Sequence, residues 1–405
     1  MTIENIKSQF PILNQKVNGK PLIYLDNGAT VQKPQMVLDE MYRYYTTLNA
    51  NVHRGIHTLS QEATIEMENS REKIRAFINA PKASEINFTA GTTDAINLVA
   101  YALKNTLKKG DEIIISEIDH HSNIVPWQML AEWTGATTRY IPLLENGSLD
   151  LNEYEKLLSS KTKLVAFNHV SNALGTINPV KEMIQKAHAV GAWVLVDGAQ
   201  AAPHLKIDVQ DLNADFYAFS GHKMYAPTGT GVLYGKEEIL TQLAPYRGGG
   251  EMIERVSMSH STYAGLPFKY EAGTPNICGN IVIAKAAEFI ESIGHEAIAQ
   301  HEQKLIKRTL KGLESIPQIR IFGKGIERSG AVSFLLDVPG VHASDVGMIL
   351  DKLGIAVRTG HHCCQPLMNK LNISGTIRAS FAMYNTEDDV NQLLNGLELA
   401  KNMLG

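Results

Sequence analysis

The sequence predicts an α/β protein in which a large domain with a mostly parallel sheet is joined to a smaller α+β domain at the C-terminal end. Its 405 residues exceed the ~100–200 residues of an ordinary single domain. Hydrophobic residues make up 44% and charged residues 20%, a balance that is typical of a globular chain and excludes a disordered one. From about Glu85 to Tyr234, short β-rich runs alternate with segments of helical period, whereas the pattern changes after Gly294.

Seven apolar runs in the first part of the chain are predicted to be strands. Helical segments separate several of them, for example Asp94–Leu107 and Val180–Val190. Continuous apolar strands that alternate with helices indicate a mostly parallel, seven-stranded sheet that is covered on both faces. The predicted strands are Ile86–Thr89, Glu112–Ser116, Arg139–Pro142, Leu164–Phe167, Trp193–Val196, Phe216–Phe219 and Gly231–Tyr234.

A second unit is predicted to begin with the amphipathic helix Glu296–Leu313, which connects the two domains. A helix near Ser344–Leu353 follows, and Thr386 with Asp389 forms a capping-box pattern that opens a final helix. We expect residues 1–20 to pack with the small domain, residues 21–294 to form the large domain and residues 295–405 to form the small one. The stretch from Gly248 to Pro275 has no assignment, and loops of this length are usually functional or interfacial. The predicted strands of the small domain are Ile319–Phe322, Ala331–Leu336, Ile355–Arg358 and Ile377–Ala382.

Charge and cysteine content narrow the class of protein. Lys and Arg number 38 against 42 Asp and Glu, a net charge of −4, whereas proteins that bind nucleic acid usually carry a basic excess. No stretch approaches the roughly 18 consecutive apolar residues that a membrane span needs. The cysteines are three, an odd number that argues against a disulfide framework and for a reducing compartment. We therefore expect a cytoplasmic protein without nucleic-acid or membrane partners.

Lys223 and Asp197 each follow a predicted strand of the large domain. Open α/β sheets bind their ligands at the carboxyl ends of the strands, where both side chains would lie. A lysine there can bind the aldehyde of pyridoxal phosphate, and an acid can keep the pyridine nitrogen of that cofactor protonated. Taken singly, each residue also fits an ordinary role, as a solvated lysine or as an aspartate in a turn.

Two further segments suit the same cofactor. Gly91, Thr92 and Thr93 stand between a predicted strand and a helix, where small residues, hydroxyl groups and free N–H groups can bind a phosphate. An ordinary threonine N-cap is the alternative there. His120, just beyond another predicted strand, can stack on a planar ring and move protons.

The segment Arg358–Cys364 contains two adjacent cysteines together with histidines and an arginine. Such surroundings favour a thiolate, so Cys363 is a candidate nucleophile; a buried apolar role and a strained Cys363–Cys364 disulfide are the alternatives. Arg378 interrupts an apolar strand and matches either a substrate carboxylate or a structural Asp or Glu. We expect no metal site, because adjacent histidines on an extended segment point to opposite sides and no zinc-type ligand spacing occurs.

Together these segments resemble the pyridoxal-phosphate enzymes of fold type I, and specifically the cysteine desulfurases of the SUF type (group II, SufS-like). The resemblance extends over essentially the whole chain, and the order and joint presence of the motifs make it specific. The motifs are Tyr24–Ala29, Val52–His57, Gly91–Thr93, His120–Asn123, His169–Asn172, Asp197–Gln200, Ser220–Lys223, Glu271–Asn276 and Arg358–Cys363.

The resemblance implies a role for each of these side chains. Lys223 would hold the cofactor and take the Cα proton of the substrate, Asp197 would pair with the pyridine nitrogen, and Gln200 would contact the phenolic oxygen. His120 would stack on the ring. Family members are homodimers in which the counterpart of Thr274 reaches the phosphate bound by the other subunit. The cofactor contacts would further include Thr92, Thr93, Ser220 and His222, and the substrate would meet Arg378, Arg358, Asn172, His53 and Arg54.

The implied reaction removes sulfur from L-cysteine and leaves L-alanine and a persulfide on Cys363. Family members of this type pass the sulfur to a SufE-like or SufU-like protein for iron–sulfur cluster assembly. L-Selenocysteine would be handled similarly, so a selenocysteine lyase or another fold type I amino-acid enzyme is the alternative activity. A protein that binds metal or clusters through Cys363, Cys364 and the histidine pairs is the alternative from another class, and it would leave Lys223 and Asp197 without a purpose.

The chain departs from the family pattern at two positions. Asp94 stands where Glu is common, and Cys364 stands where a small residue such as Ala is usual.

Overall fold

The seven predicted strands of the large domain lie in one sheet, which confirms the α/β fold with its mostly parallel seven-stranded sheet. The computed structural model describes residues 3–405, with side chains from residue 5 onward. The strand order is β4-β10-β9-β8-β7-β5-β6, and β10 alone runs in the direction opposite to the other six strands. In chain order the strands are β1 Lys16–Val17, β2 Lys20–Pro21, β3 Ile23–Tyr24, β4 Ile86–Thr89, β5 Glu112–Ser116, β6 Thr137–Ile141, β7 Thr162–Asn168, β8 Trp193–Asp197, β9 Phe216–Ser220, β10 Gly231–Gly235, β11 Ile253–Val256, β12 Ser261–Tyr263, β13 Ile319–Ile321, β14 Ala331–Leu336, β15 Ile355–Ala356, β16 Arg358–Gly360 and β17 Thr376–Ser380.

Helices cover both faces of this sheet because its strands are apolar on both sides. Successive residues of β7 enter opposite cores: Val165 and Phe167 pack in one, and Leu164 and Ala166 in the other. The helices are α1 Ile3–Lys7, α2 Gln35–Arg43, α3 Thr58–Phe77, α4 Thr92–Ala102, α5 Val125–Thr134, α6 Leu151–Leu157, α7 Val180–Ala189, α8 Val209–Leu212, α9 Glu237–Gln242, α10 Ile277–Ile293, α11 His295–Ser315, α12 Ala343–Lys352, α13 Gln365–Lys370 and α14 Glu387–Leu404. None of them, over the part of the chain that the structure describes, is long and apolar enough to cross a membrane.

The C-terminal part forms a second sheet with its own core. Its strands follow the order β13-β14-β17-β16 and are all antiparallel. Helices α11 and α12 pack on these strands around Val332, Phe334 and Ile377, and α14 packs on α11 and α12. The capping box expected at Thr386 and Asp389 is present and begins α14.

The predicted strand Ile355–Arg358 is wrong as a single element, since the structure divides it between two sheets. Ile355 and Ala356 pair in parallel with Ile23 and Tyr24, whereas β16 pairs with β17. Asp26 continues the first contact with a bridge to Ser380. Residues 23–26, expected in the large domain, are therefore built against the small one, a long-range pairing that no local pattern indicates.

The N-terminal segment contacts both parts of the molecule. Lys7 forms an ion pair of 3.3 Å with Asp389 in α14. The buried Phe10 ring packs on Tyr384, at 4.5 Å between centroids, and also on Tyr225 in the large domain. This segment bridges the two units.

The stretch from Gly248 to Pro275, unassigned from the sequence, contains a hairpin of β11 and β12. Its residues are mostly exposed, so the alternation of buried and exposed positions that marks a strand is weak.

Candidate active site

A cavity of about 210 Å³ opens at the carboxyl ends of the central strands, between the two units. Asp197 ends β8, and the segments after β9 and β5 bring Lys223 and His120 to the same edge. Most of the predicted site residues line it: Thr92, Thr93, His120, Asn172, Asp197, Gln200, Ser220, His222, Lys223, Arg358, Cys363 and Arg378.

Lys223 lies in a short 3-10 turn that the N-terminal part of the chain holds in place. The carbonyl oxygen of His222 accepts hydrogen bonds from Val31 N, at 3.1 Å, and from Thr30 Oγ1, at 3.1 Å. The ammonium group of Lys33 donates to the same oxygen at 3.3 Å. Burial lowers the pKa of Lys223, and the Asp197 carboxylate partly offsets this effect. The amine can therefore become neutral more readily than a solvated lysine.

Asp197 supplies a buried carboxylate to the cavity. Its Oδ1 accepts a hydrogen bond from Ala199 N at 2.9 Å. Burial raises its pKa, while Lys223 acts in the opposite direction. Among residues 5–405, whose side chains the structure describes, no ion pair engages this carboxylate, which lines the cavity and so suits a protonated pyridine nitrogen.

The turn before α4 is arranged as an anion site. Gly91 has a φ of +146°, and a Cβ there would lie 3.2 Å from Ser220 Oγ. Ser220 Oγ accepts a hydrogen bond from Thr92 N and contacts Thr92 Oγ1, both at 2.8 Å. Thr93 and His222 line the same end of the cavity. Hydroxyl groups at the N-terminus of an eleven-residue helix fit the phosphate of the cofactor.

Asp94, the departure from the usual Glu, supports this turn without lining the cavity. Its Oδ2 accepts from Ala90 N at 2.9 Å, and Tyr246 OH donates to its Oδ1 at 3.3 Å.

His120 is oriented by its own loop. Its Nδ1 accepts a hydrogen bond from Ser122 N at 3.1 Å. The buried Asp119 fixes the loop by accepting hydrogen bonds from Ser116 N and from Asn123 Nδ2, at 2.8 and 3.1 Å. Burial lowers the pKa of His120 to about 3, so the ring is neutral at neutral pH and can stack on a heteroaromatic cofactor.

Gln200 contacts Gly28, a glycine of the Tyr24–Ala29 motif for which the sequence predicts no role of its own. Its Nε2 donates a hydrogen bond to the carbonyl oxygen of Gly28 at 2.7 Å. Gly28 in turn packs on Arg378, because a Cβ there would lie 3.0 Å from the guanidinium carbon. Gly28 thus closes the cavity between the cofactor end and Arg378.

Arg378 and Arg358 form the cationic end of the cavity. Arg378 donates through Nη1 to the carbonyl oxygen of Asn172 at 2.7 Å, and its Nη2 lies 3.2 Å from Asp26 Oδ1. Arg358 Nη1 lies 3.5 Å from the other oxygen of Asp26. The Arg378 Nε is buried without a hydrogen-bond partner in the described chain, which leaves one donor for an anionic ligand.

The two adjacent cysteines have different surroundings. Cys363 is partly exposed, lines the cavity, and sits with His362 in a left-handed stretch, at φ values of +55° and +52°. Cys364 is buried, and its thiol donates to Asn172 Oδ1 at 3.0 Å. Burial raises the pKa of Cys364 to about 12. All three cysteines are free, so the alternative of a vicinal disulfide is wrong.

The structure does not bring His53, Arg54 and Thr274 to the cavity of the same chain. The expectation that His53 and Arg54 line the substrate pocket is therefore wrong for a single subunit, whereas Thr274 was expected at the cavity of the other subunit. Carboxylates hold the first two elsewhere: His53 Nε2 lies 3.0 Å from Glu68, and Arg54 Nε lies 2.9 Å from Glu251. Thr274 lines a separate cavity of about 190 Å³.

The described residues contain no cluster of three or more His, Cys, Asp or Glu side chains that is arranged for a metal ion. The histidine that follows His120 instead lies against His361, with ring centroids 5.6 Å apart.

Comparison with known proteins agrees with this geometry. The fold and the cavity define a pyridoxal-phosphate enzyme of fold type I, and residues 23–393 match the family described as aminotransferase class-V. The chain belongs to that family. Among its relatives are a probable cysteine desulfurase of Halalkalibacterium halodurans, 51% identical over all of this chain and 99% of the relative, and a cysteine desulfurase of Serratia proteamaculans, 50% identical with the same coverage.

Solved structures give the same result. The cysteine desulfurase of Thermococcus onnurineus NA1 superposes with a TM-score of 0.95 at 43% identity, over 100% of this chain and 99% of that one. The cysteine desulfurase CsdA of Escherichia coli superposes with a TM-score of 0.92 at 39% identity, over the full length of both chains.

Proposed function

We propose that this protein is a pyridoxal-phosphate-dependent cysteine desulfurase, which converts L-cysteine to L-alanine and leaves the sulfur as a persulfide on Cys363. One observation carries the proposal: a single cavity is lined by Lys223, Asp197, Arg378 and a partly exposed thiol. An aminotransferase needs no thiol there. The full-length relatives named cysteine desulfurases support the same reaction.

The cofactor would be held by residues whose chemistry fits it. Lys223 would bind it covalently, Asp197 would face its ring nitrogen, His120 would stack on the ring, and the turn at Thr92 with Ser220 would receive the phosphate. When bound, pyridoxal phosphate supplies an electron sink for bonds at the substrate Cα. The Arg378 guanidinium orients the substrate through its carboxylate. Because burial favours the neutral amine, Lys223 can accept the Cα proton.

Cys363 performs the sulfur transfer. Its thiolate forms a bond to the substrate sulfur, and the Cβ–S bond of the substrate breaks with its electron pair remaining on Cβ. Protonation of that carbon completes alanine, and the transferred sulfur stays on Cys363 as a persulfide. Because this thiol lines the cavity and is partly exposed, it suits both the attack and the later release of sulfur to an acceptor.

The first experiment measures alanine and sulfide released from L-cysteine by the cofactor-loaded protein with a reductant present. Wild type is compared with Cys363→Ala and with Cys364→Ala as the matched control. We expect alanine and sulfide together in wild type, loss of persulfide and sulfide in Cys363→Ala, and near-normal turnover in Cys364→Ala. The reverse pattern for the two variants would overturn the assignment of the nucleophile.

Selenocysteine is the second substrate that we infer for this site. Selenium leaves carbon more readily than sulfur, so the reaction depends less on Cys363. Cys363→Ala is therefore expected to retain more activity toward L-selenocysteine than toward L-cysteine. Equal loss with both substrates would contradict this inference.

We further propose a homodimer that shares its sites. His53, Arg54 and Thr274 lie outside the cavity of their own chain, and the adjoining Ile56 and Leu59 expose their apolar side chains. If a second copy binds at this surface, His53, Arg54 and Thr274 of each chain would lie at the cavity of the other chain. Light scattering of the purified protein is expected to give twice the chain mass of 44.6 kDa, and a monomer of full activity would overturn the shared site.

The biological role that we propose is sulfur supply for iron–sulfur cluster assembly in the cytoplasm, through a SUF-type desulfurase and an acceptor of the SufE or SufU type. The chain is also similar to CsdA of Escherichia coli, so the SUF-type subgroup has to be tested directly. Addition of each purified acceptor to the sulfide assay is expected to increase turnover with one of them. No increase with either would contradict the SUF assignment.

A further inference from the structure

Asp26 links the two arginines at the cationic end of the cavity, and no role has been given to it above. One carboxylate oxygen lies 3.2 Å from Arg378, and the other lies 3.5 Å from Arg358. The Asp26 side chain does not line the cavity, so it contacts the arginines outside the cavity lining. It acts on a ligand only through them.

The position of Asp26 is fixed by backbone contacts. Its strand bridge to Ser380 joins it to β17, the strand that carries Arg378. Its carbonyl oxygen accepts a hydrogen bond from Ala29 N at 3.1 Å. The bridge between Asp26 and Ser380 therefore positions the Asp26 carboxylate next to Arg378, which lies in the same strand as Ser380.

The two arginines differ in their freedom. The side chain of Arg378 is 3% exposed and is held by Asn172 O as well as by Asp26, whereas the side chain of Arg358 is 53% exposed. Asp26 is the one hydrogen-bond acceptor that the described chain provides for the Arg358 guanidinium. Without it, Arg358 is free to reach an anion in the cavity.

Charge at this end of the cavity is set by few groups. Two guanidinium groups face one carboxylate, which leaves a single net positive charge. The neighbouring His362 is neutral, because burial lowers its pKa to about 3. The carboxylate of an amino acid with one such group neutralises this single positive charge. A second substrate carboxylate would have to pair with Arg358, which Asp26 already contacts.

We propose that Asp26 is the specificity-determining counter-ion of the cavity: it keeps Arg358 engaged, so that the site accepts amino acids with one carboxylate and disfavours those with two. The proposal rests on the proposed function, because it takes the cavity to bind amino acids, but it concerns their binding and not their turnover. Asp26 is a positioning residue, since it acts through Arg358 and Arg378.

The test is the ratio of Kd values for L-asparagine and L-aspartate, two ligands of nearly equal shape that differ in one carboxylate. Binding is measured by calorimetry with the cofactor-loaded protein at neutral pH and low ionic strength, where charge effects are least screened. Asp26→Asn is expected to shift the ratio toward L-aspartate by about tenfold, an effect of the size that one close charge exerts near a protein surface.

Three variants separate charge from structure. Asp26→Glu keeps the charge and is expected to restore the wild-type ratio, and the exposed Asp337→Asn is expected to leave it unchanged. Combining Asp26→Asn with Arg358→Met is expected to abolish the gain. If the asparagine variant does not fold, Asp26→Ser serves the same comparison.

The outcomes distinguish the two proposals. An unchanged ratio in Asp26→Asn, or equal weakening of both ligands, overturns the counter-ion role even when wild type desulfurates L-cysteine. A shifted ratio in a protein that releases no alanine from L-cysteine supports the role of Asp26 and overturns the proposed reaction.

Discussion

At the scale of single residues, Cys363 and Cys364 show that neighbours in sequence can have opposite chemistry. Burial raises the pKa of Cys364 to about 12 and directs its thiol to Asn172, whereas Cys363 opens to the cavity. Cys278, the third cysteine, is also buried, and burial raises its pKa too. Because the thiolate is the reactive form, only Cys363 is expected to react quickly with a thiol reagent.

Labelling with an aromatic disulfide reagent at pH 8 checks this. Native wild type is expected to release about one equivalent of product per chain in the rapid phase. Cys363→Ala should lose that phase, and Cys364→Ala should keep it. A rapid phase that survives in Cys363→Ala but not in Cys364→Ala would show that the buried thiol is accessible.

The sequence alone indicates the thiol loop but not the difference between its cysteines. Cys364 is buried through a contact with Asn172, which lies 192 positions away. Asp26 lies in the Tyr24–Ala29 motif, but its contact with the arginines could not be predicted for the same reason, since its partner Arg378 is 352 positions away. Motif patterns identify chemical groups that lie close along the chain, whereas partners supplied by tertiary packing become visible only in the folded structure.

At the scale of elements, a buried ion pair joins α3 to the loop that carries Thr274. Arg71 contacts both oxygens of Glu271, at 2.6 and 2.9 Å, and both side chains are buried. Glu271 also accepts a hydrogen bond from Phe88 N in β4 at 2.7 Å. One carboxylate thus ties a helix, a strand and a loop together.

Removing one partner of this pair is expected to destabilise the protein strongly. Glu271→Gln leaves the half-exposed Glu68, 2.9 Å from the Arg71 Nε, as the remaining carboxylate for this buried charge. The expected loss in the free energy of unfolding is therefore a part of the roughly 3–5 kcal/mol that an uncompensated buried charge costs. The double variant with Arg71→Met removes both charges and should recover part of that loss. Denaturant unfolding of the four proteins measures the coupling, and an additive double variant would show that the pair acts as two independent residues.

Elements with a buried face are the ones that the sequence predicts well. The seven strands of the large sheet are continuous apolar runs, and each appears within a few residues of its expected limits. The exposed hairpin of β11 and β12 gives no such pattern. The run from Ile355 to Arg358 is extended as expected, but its change of partner depends on Ile23 and Tyr24.

At the scale of the whole molecule, histidines that are kept neutral make stability depend on pH. Burial lowers the pKa of His169 to about 4, and its Nδ1 lies 2.9 Å from Tyr217 OH. In the unfolded chain a histidine has a pKa near 6.5. As pH falls below that value the unfolded state takes up a proton that the folded state does not, so this histidine's contribution to stability is lost between pH 6.5 and about 4.

The comparison that isolates this effect is wild type against His169→Asn, without cofactor. Between pH 7.5 and 5.5, wild type is expected to lose on the order of 1 kcal/mol more stability than the variant. Urea unfolding at the two pH values measures the difference. Equal losses in the two proteins would show that folding does not lower the pKa of His169.

The pairing of Ile23 and Tyr24 with Ile355 and Ala356 also bears on how the molecule is made. Asp26 and Arg358, which extend this contact, are separated by 332 positions. At a synthesis rate of about 5–20 residues per second, roughly 17–66 s separate the synthesis of the Ile23–Tyr24 strand from that of its partner strand. The cationic end of the cavity therefore cannot form until Arg358 and Arg378 have been synthesised, and a translation product that stops between Lys223 and Arg358 holds the lysine of the cofactor site without either arginine.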